Sequence, residues 1–287
     1  MLPLSERFVQ VYVRVDDAVQ SGVLPLPARP GPVPACSDAE VLTLALVRHL
    51  LGRRSERAFL AEVRQEWGHY FPHVPAQSEF NRRVRWLWGA FEQLRQHLVA
   101  AVPPDPWQQV DTSALPVKHV SRQRRAHSWD GPNGLTAGVG RDAAHGEWFF
   151  GFRLAVRTDL GPRLVRAWGI VPAAVDERLV GTALLEGATC TDLLLDRGFV
   201  SDAWAAEQAQ CGRRVTLAPS RADRRRLPAP LRRPVAALRN RIETTLGEIT
   251  DVVGLGLARH GAKTFWGLLT RTAATLLAHT LLRLALI

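Results

Sequence analysis

From Trp107 onward the chain switches repeatedly between the two-residue period of strands and the 3.6-residue period of helices. That alternation limits the fold more than any other feature. WQQVDTSALPV, EWFFGFRLAVRTD and RLVRAWGIVPA predict three strands, rich in β-branched and aromatic residues. DERLVGTALLEG predicts a helix, TDLLLDRGF a short buried strand closed by a glycine turn, SDAWAAEQAQCG a helix, and RRVTLAPS a strand. A long helix starts near Pro230 and runs past Glu243. Between Val120 and Gly146 the chain is polar and fits a loop or a ragged hairpin. Strands alternating with helices imply an α/β sheet with a parallel portion.

Upstream of Pro103 the pattern is helical. Residues 5–20 predict one helix, and the Pro-rich stretch from Leu24 to Pro34 breaks it off. Ser37-Asp38-Ala39-Glu40 is a capping box that opens a second helix ending near Gly52. Ser55 opens a third. Ser78 opens a fourth, SEFNRRVRWLWGAFEQLRQHLVAAV, with Asn81, Arg82, Arg83 and Arg85 near its start. Short turns between such helices fit a helix-turn-helix-like DNA-binding region, and equally a plain bundle with polar outer faces. The expected domains are 1–102, helical, and 103–287, the sheet domain with a C-terminal helix.

The charge favours a polyanionic partner. The 287 residues carry 37 Lys and Arg against 27 Asp and Glu, a net +10, in a chain that is 46% hydrophobic and therefore globular. A soluble basic protein from an arginine-rich genome would show the same balance. Cys36, Cys190 and Cys211 lack CxxC spacing, which argues against a zinc ribbon or a disulfide framework. MLPLSERFVQ has no signal-peptide pattern. The apolar run from Thr264 to Ile287 carries Arg271, His279 and Arg283, so a buried helix is expected there, not a membrane span. Together these predict a cytoplasmic protein with no membrane partner.

Three carboxylates stand out. Asp111 lies inside the first predicted strand, where an unpaired carboxylate is costly. Asp196 closes the LLLD strand at its carboxyl end, where ligand sites of such sheets lie. Glu243 lies beside the stripe Leu231, Val235, Leu238, Ile242, Leu246, Ile249, Val253 on the long helix. Each has an ordinary use as well: Asp111 as a turn cap, Asp196 as a turn residue, Glu243 as the i,i+4 partner of Arg239. Converging on one sheet end, they would need divalent cations between them, and oxygen-only ligands favour Mg²⁺ or Mn²⁺. Two such ions, about 3.5–4 Å apart, would clamp a scissile phosphate. Asp192 and Glu248 are the nearest competitors.

VDTSALPV, LLLDRGF and RNRIETTLGEI, in this strand order, resemble the RNase H-like catalytic domain of DDE transposases from bacterial insertion sequences. Insertion-sequence family nine-eight-two is the nearest match, from about Ser37 to the C-terminus. The resemblance implies that Asp111, Asp196 and Glu243 form the metal-binding catalytic triad. It implies that Arg239 is the arginine of the signature around the glutamate. Related families place a Tyr and a Lys where this chain has Ala236 and Thr250. Gly151-Phe152-Arg153 is similar to the family's Gly-aromatic-basic strand, which implies that Arg153 touches DNA. The implied activity is cleavage and strand transfer at terminal inverted repeats, by a homodimer on DNA. A catalytically silent DNA-binding descendant and a metal-dependent nuclease without strand transfer are the alternatives.

Ten arginines fall between Arg213 and Arg241, opposed only by Asp223. Arg224, Arg225, Arg226, Arg239 and Arg241 lead into the helix of Glu243 and are expected to meet phosphates. Arg122, Arg124 and Arg125 form a weaker cluster, and Arg82 and Arg85 belong to the helical region. Trp129 and Trp148 could stack on a base, with Trp148 the better core residue. His119, His127 and His145 lack metal-ligand spacing.

Overall fold

A computed structural model of the protein describes residues 4–28, 31–118, 129–142, 146–251 and 254–287. They divide into two compact units, 1–101 with 248–287, and 102–247.

The first unit is helical: α1 (Leu4–Gln20), α2 (Asp38–Leu50), α3 (Glu56–Glu66), α4 (Gln77–Trp86), α5 (Trp88–Ala100) and, from the end of the chain, α10 (Phe265–Arg283). The capping box forms as expected. The backbone N–H of Glu40 donates to Ser37 Oγ at 3.1 Å, and that of Ser37 donates to the Glu40 carboxylate at 2.5 Å. The single long helix expected from Ser78 is instead two. Leu87 leaves the helical conformation (φ −89°, ψ 12°) and is fully buried, so the chain turns at a core side chain. The capping residue is Ala76, not Ser78, and it makes no side-chain cap bond.

The last forty residues also depart from expectation. They belong with the N-terminal helices, not with the sheet. The cause is the surface of α10, which is buried on nearly every side from Leu268 to Leu281. A helix apolar all round needs cover from several directions, and α2, α4 and α5 provide it. No helix among the described residues is long and apolar enough to cross a membrane.

The second unit is a mixed α/β fold. Its strands are β1 (Trp107–Lys118), β2 (Gly138–Asp142), β3 (Glu147–Asp159), β4 (Val165–Pro172), β5 (Asp192–Leu195) and β6 (Arg214–Leu217). Its helices are α6 (Glu177–Leu184), α7 (Asp202–Gln210), α8 (Arg221–Arg226) and α9 (Ala229–Thr250), the last running past the division at 247/248. The order across the sheet is β2-β3-β1-β5-β6, with β4 also on β3. β2 pairs the first half of β3 and β4 the second half, both antiparallel, while β1 pairs antiparallel with β3 and parallel with β5. Antiparallel strands leading into parallel ones joined through helices make this the RNase H-like arrangement. The ragged segment before β3 does contain a strand, β2, and α8 was not anticipated.

Gly151 holds the β1–β3 pairing at an irregular point. It faces Pro116, which has no N–H to donate, and the register shifts between Pro116 and Lys118. A Cβ at 151 would lie 2.3 Å from the Leu115 carbonyl oxygen.

Candidate active site

The register brings the two aspartates side by side. β1 and β5 run parallel with Trp107 opposite Asp192 and Gln108 opposite Leu193. Three residues past the last paired positions stand Asp111, inside β1, and Asp196, one residue beyond β5. Alternation then assigns faces. Val110, Leu193 and Leu195 enter the core cluster with Val180, Leu184, Phe199 and Trp204, on the α6 and α7 side. Gln109, Asp111, Leu194 and Asp196 take the other face, toward α9.

A buried amide ties α9 to that face. The Gln109 side chain donates to the carbonyls of Leu238 and Arg239 at 3.2 and 3.5 Å. Glu243, one turn on, therefore lines a small cavity of ≈ 20 Å³ together with Asp111, Asp196, Arg239, Ile242 and Ala218. The expected core stripe of α9 is only half correct. Ile242, Leu246 and Ile249 are buried, but Leu231 and Leu238 are half-exposed.

Two of the ordinary structural uses of these carboxylates are present. Asp196 Oδ1 accepts from the backbone N–H of Arg197 at 2.5 Å and caps the turn Arg197–Phe199. Arg239 lies 3.7 Å from Asp196 and 3.7 Å from Glu243, a single guanidinium between two carboxylates. Among the described residues, Asp111 accepts a short backbone bond from Thr112, at 2.7 Å. Burial pushes its carboxyl up to about 7. The charges of Glu177, Asp196 and Glu243 add to that rise, against the Thr112 bond.

Glu177 is the group that sequence reading missed. It opens α6, and its Oε1 accepts from the Thr112 hydroxyl at 3.4 Å, with Arg153 Nη1 at 3.8 Å. Gly198, two residues past Asp196, leaves it room: a Cβ there would lie 2.6 Å from Glu177 Oε2. The available signal was an acidic residue in the first helical turn after the third antiparallel strand.

The donor set is wholly oxygen and anionic. It fits a hard divalent ion in kind; burial is the main cause of the raised Asp111 carboxyl, with the neighbouring carboxylates adding less. The fit is not yet a closed cage: among the described residues no three His, Cys, Asp or Glu side chains stand close enough to hold one ion. The competitors are engaged elsewhere. Asp192 pairs with Arg214 and Glu248 with His279.

The expected phosphate-contacting arginines separate into two groups. Arg153 is spent on the fold: Nε donates to the Ala173 carbonyl at 2.9 Å, Nη1 to Thr112 Oγ1 at 3.1 Å and Nη2 to the Arg141 carbonyl at 2.8 Å. Arg241 likewise donates to the carbonyls of Leu160 and Gly161, at 2.7 and 3.2 Å. Arg225 and Arg226 are exposed on α8, as are Arg82 and Arg85 on α4. Arg83 beside them is buried against Asp38 at 2.5 Å. Arg122, Arg124, Arg125, His119, His127 and His145 lie outside the described residues, as does the side chain of Arg224. The tryptophans exchange roles: Trp129 is 1% exposed and Trp148 65%. Trp148 sits on β3 beyond the core, opposite Arg141 of β2.

The fold and site thus define a mixed α/β protein in which Asp111, Asp196 and Glu243 line one cavity beside the sheet. No family model matches the chain, and no curated protein matches it. Among solved structures, the cryo-EM structure of the piggyBac transposase synaptic complex with hairpin DNA is similar. The TM-score is 0.41 with 10% sequence identity, over 79% of this chain and 50% of that one. The chain therefore spans about half the length of that structure's chain.

Proposed function

We propose that this protein is a DNA transposase that cleaves an insertion-sequence element at its terminal inverted repeats and joins it to target DNA, as a homodimer on DNA. The observation that carries the reading is the shared cavity of Asp111, Asp196 and Glu243, drawn from two adjacent strands and the helix over them. Asp111, Asp196 and Glu243 would hold Mg²⁺ or Mn²⁺, which would supply activation of the attacking hydroxyl and charge relief at the leaving oxygen. Glu177 adds a fourth negative charge next to Asp111. A cation held there would favour the ionised form of the Asp111 carboxyl. Arg239, now shared by two carboxylates, is the guanidinium nearest to a phosphate entering the cavity. Arg225, Arg226, Arg82 and Arg85 remain open to backbone phosphates.

The test is nicking of a duplex carrying the element's ends, with Mg²⁺ or Mn²⁺, wild type beside Glu243→Ala. Metal-dependent cleavage lost in the variant supports the transposase. Binding by both without cleavage by either leaves a DNA-binding protein, and cleavage without joined products leaves a nuclease.

A further inference from the structure

The helical unit contains a cavity of ≈ 40 Å³ lined by Arg48, Arg53, Arg54, Arg259 and Arg271, with two histidines and no carboxylate. Arg48 closes α2, Arg53 and Arg54 follow it, Arg259 ends the turn Leu257–Arg259, and Arg271 stands on α10.

The charges do not balance. Glu56, nearly buried, is the carboxylate shared by Arg271 at 2.8 Å and Arg48 at 3.9 Å. Its other oxygen already accepts from Gln77 and Asn81. Arg53 is held by Glu62 at 2.8 Å. Arg54 and Arg259 have no ion pair among the described residues, and both are exposed.

The most buried of these arginines is Arg48, 4% exposed. Its Nη1 donates to the carbonyls of Arg53 and Arg54 at 3.2 and 3.3 Å, while its buried Nε has no partner among the described residues. Nη2 lies 3.2 Å from His49 Nε2, so that nitrogen accepts and Nδ1 donates to Thr275 Oγ1, also at 3.2 Å. His49 is therefore neutral. Burial, with Arg48 and Arg271 beside it, holds its pKa well below the usual value. Burial and then Arg271 also pull Arg48 down to about 10. A second positive charge is therefore unwelcome here and an anion is favoured.

We propose that this cavity is a seat for one phosphate group. Its volume takes about three waters, which suits a single oxyanion and not an extended ligand. Guanidinium forks match phosphate oxygens in geometry and charge. The group would come from free phosphate or from one backbone phosphate of DNA, and the seat is independent of the carboxylate site and of any cleavage.

The experiment is thermal unfolding of the full chain as sodium phosphate replaces sodium chloride at constant ionic strength. Wild type should gain Tm saturably. Arg259→Gln and Arg54→Gln, at exposed positions that leave the buried Glu56 pairs intact, should each weaken phosphate about tenfold. Equal Tm in the two salts, or wild-type phosphate affinity in both variants, would overturn the seat. The salt dependence of duplex binding then separates the sources. A slope reduced by about one per lost arginine assigns the seat to a DNA phosphate. An unchanged slope with phosphate binding lost assigns it to free phosphate.

Discussion

The Gln109 side-chain amide donates to the main-chain carbonyls of Leu238 and Arg239, at 3.2 and 3.5 Å, and so fixes the helix of Glu243 above the strand of Asp111. Gln109 is 2% exposed, and polar atoms so buried are costly unless they serve a contact. Replacing it with Leu should cost about 1–2 kcal/mol in urea unfolding. If the proposed activity is correct, Gln109→Leu should lose much more in nicking rate than that stability change explains. Unchanged nicking would show that α9 is held in place without this bond.

The raised Asp111 carboxyl makes stability depend on pH. Its folded value, about 7, lies above the unfolded value of 3.8. Between those values the folded state holds a proton that the unfolded state has released, so stability falls as pH rises through this window. Asp111→Asn should stabilise the metal-free protein at pH 8, by at most about 4 kcal/mol, and change it little near pH 4. Equal Tm gains at both pH values would count against the assignment.

Gly151 cannot accept a side chain. The atoms a Cβ would meet are main-chain atoms of Leu115, Pro116 and Val117, which are locked in the sheet. Gly151→Ala should destabilise by at least about 1–3 kcal/mol, measured by denaturant midpoint. Gly198→Ala is the contrast. There the obstacle is the end of the Glu177 side chain, which can swing aside, so stability should hold while Glu177 moves.

Arg153 bonds two carbonyls and a hydroxyl, which makes it a strut within the sheet. Arg153→Met should lower stability by about 2 kcal/mol and leave the salt dependence of DNA binding unchanged. A DNA contact would instead lower that slope by about one.

Much of the fold was legible locally. Helix starts at Ser37 and Ser55, the strand segments and the long final helices are dictated by capping chemistry and by hydrophobic period, which act over a few residues. Asp111 and Asp196 stand out in the sequence as carboxylates within and just after apolar strands, and the fold places both on the lining of one cavity. The break at Leu87 was not, since nothing in Trp86-Leu87-Trp88 disfavours helix and the turn exists to bury Leu87.

The sequence by itself determined most of the element order, though not α8 or the split at Leu87, together with the acidic positions and the basic surplus, because each follows from residue type and near-neighbour spacing. Only tertiary structure decided which charges are free. Arg153 and Arg241 look like their neighbours in sequence, yet carbonyls from distant strands and turns consume them. Glu177 is an unremarked first-turn acid until the sheet sets Thr112 beside it. Long-range pairing partners have no local signature, so the membership of the carboxylate site and of the arginine cavity had to wait for the folded chain.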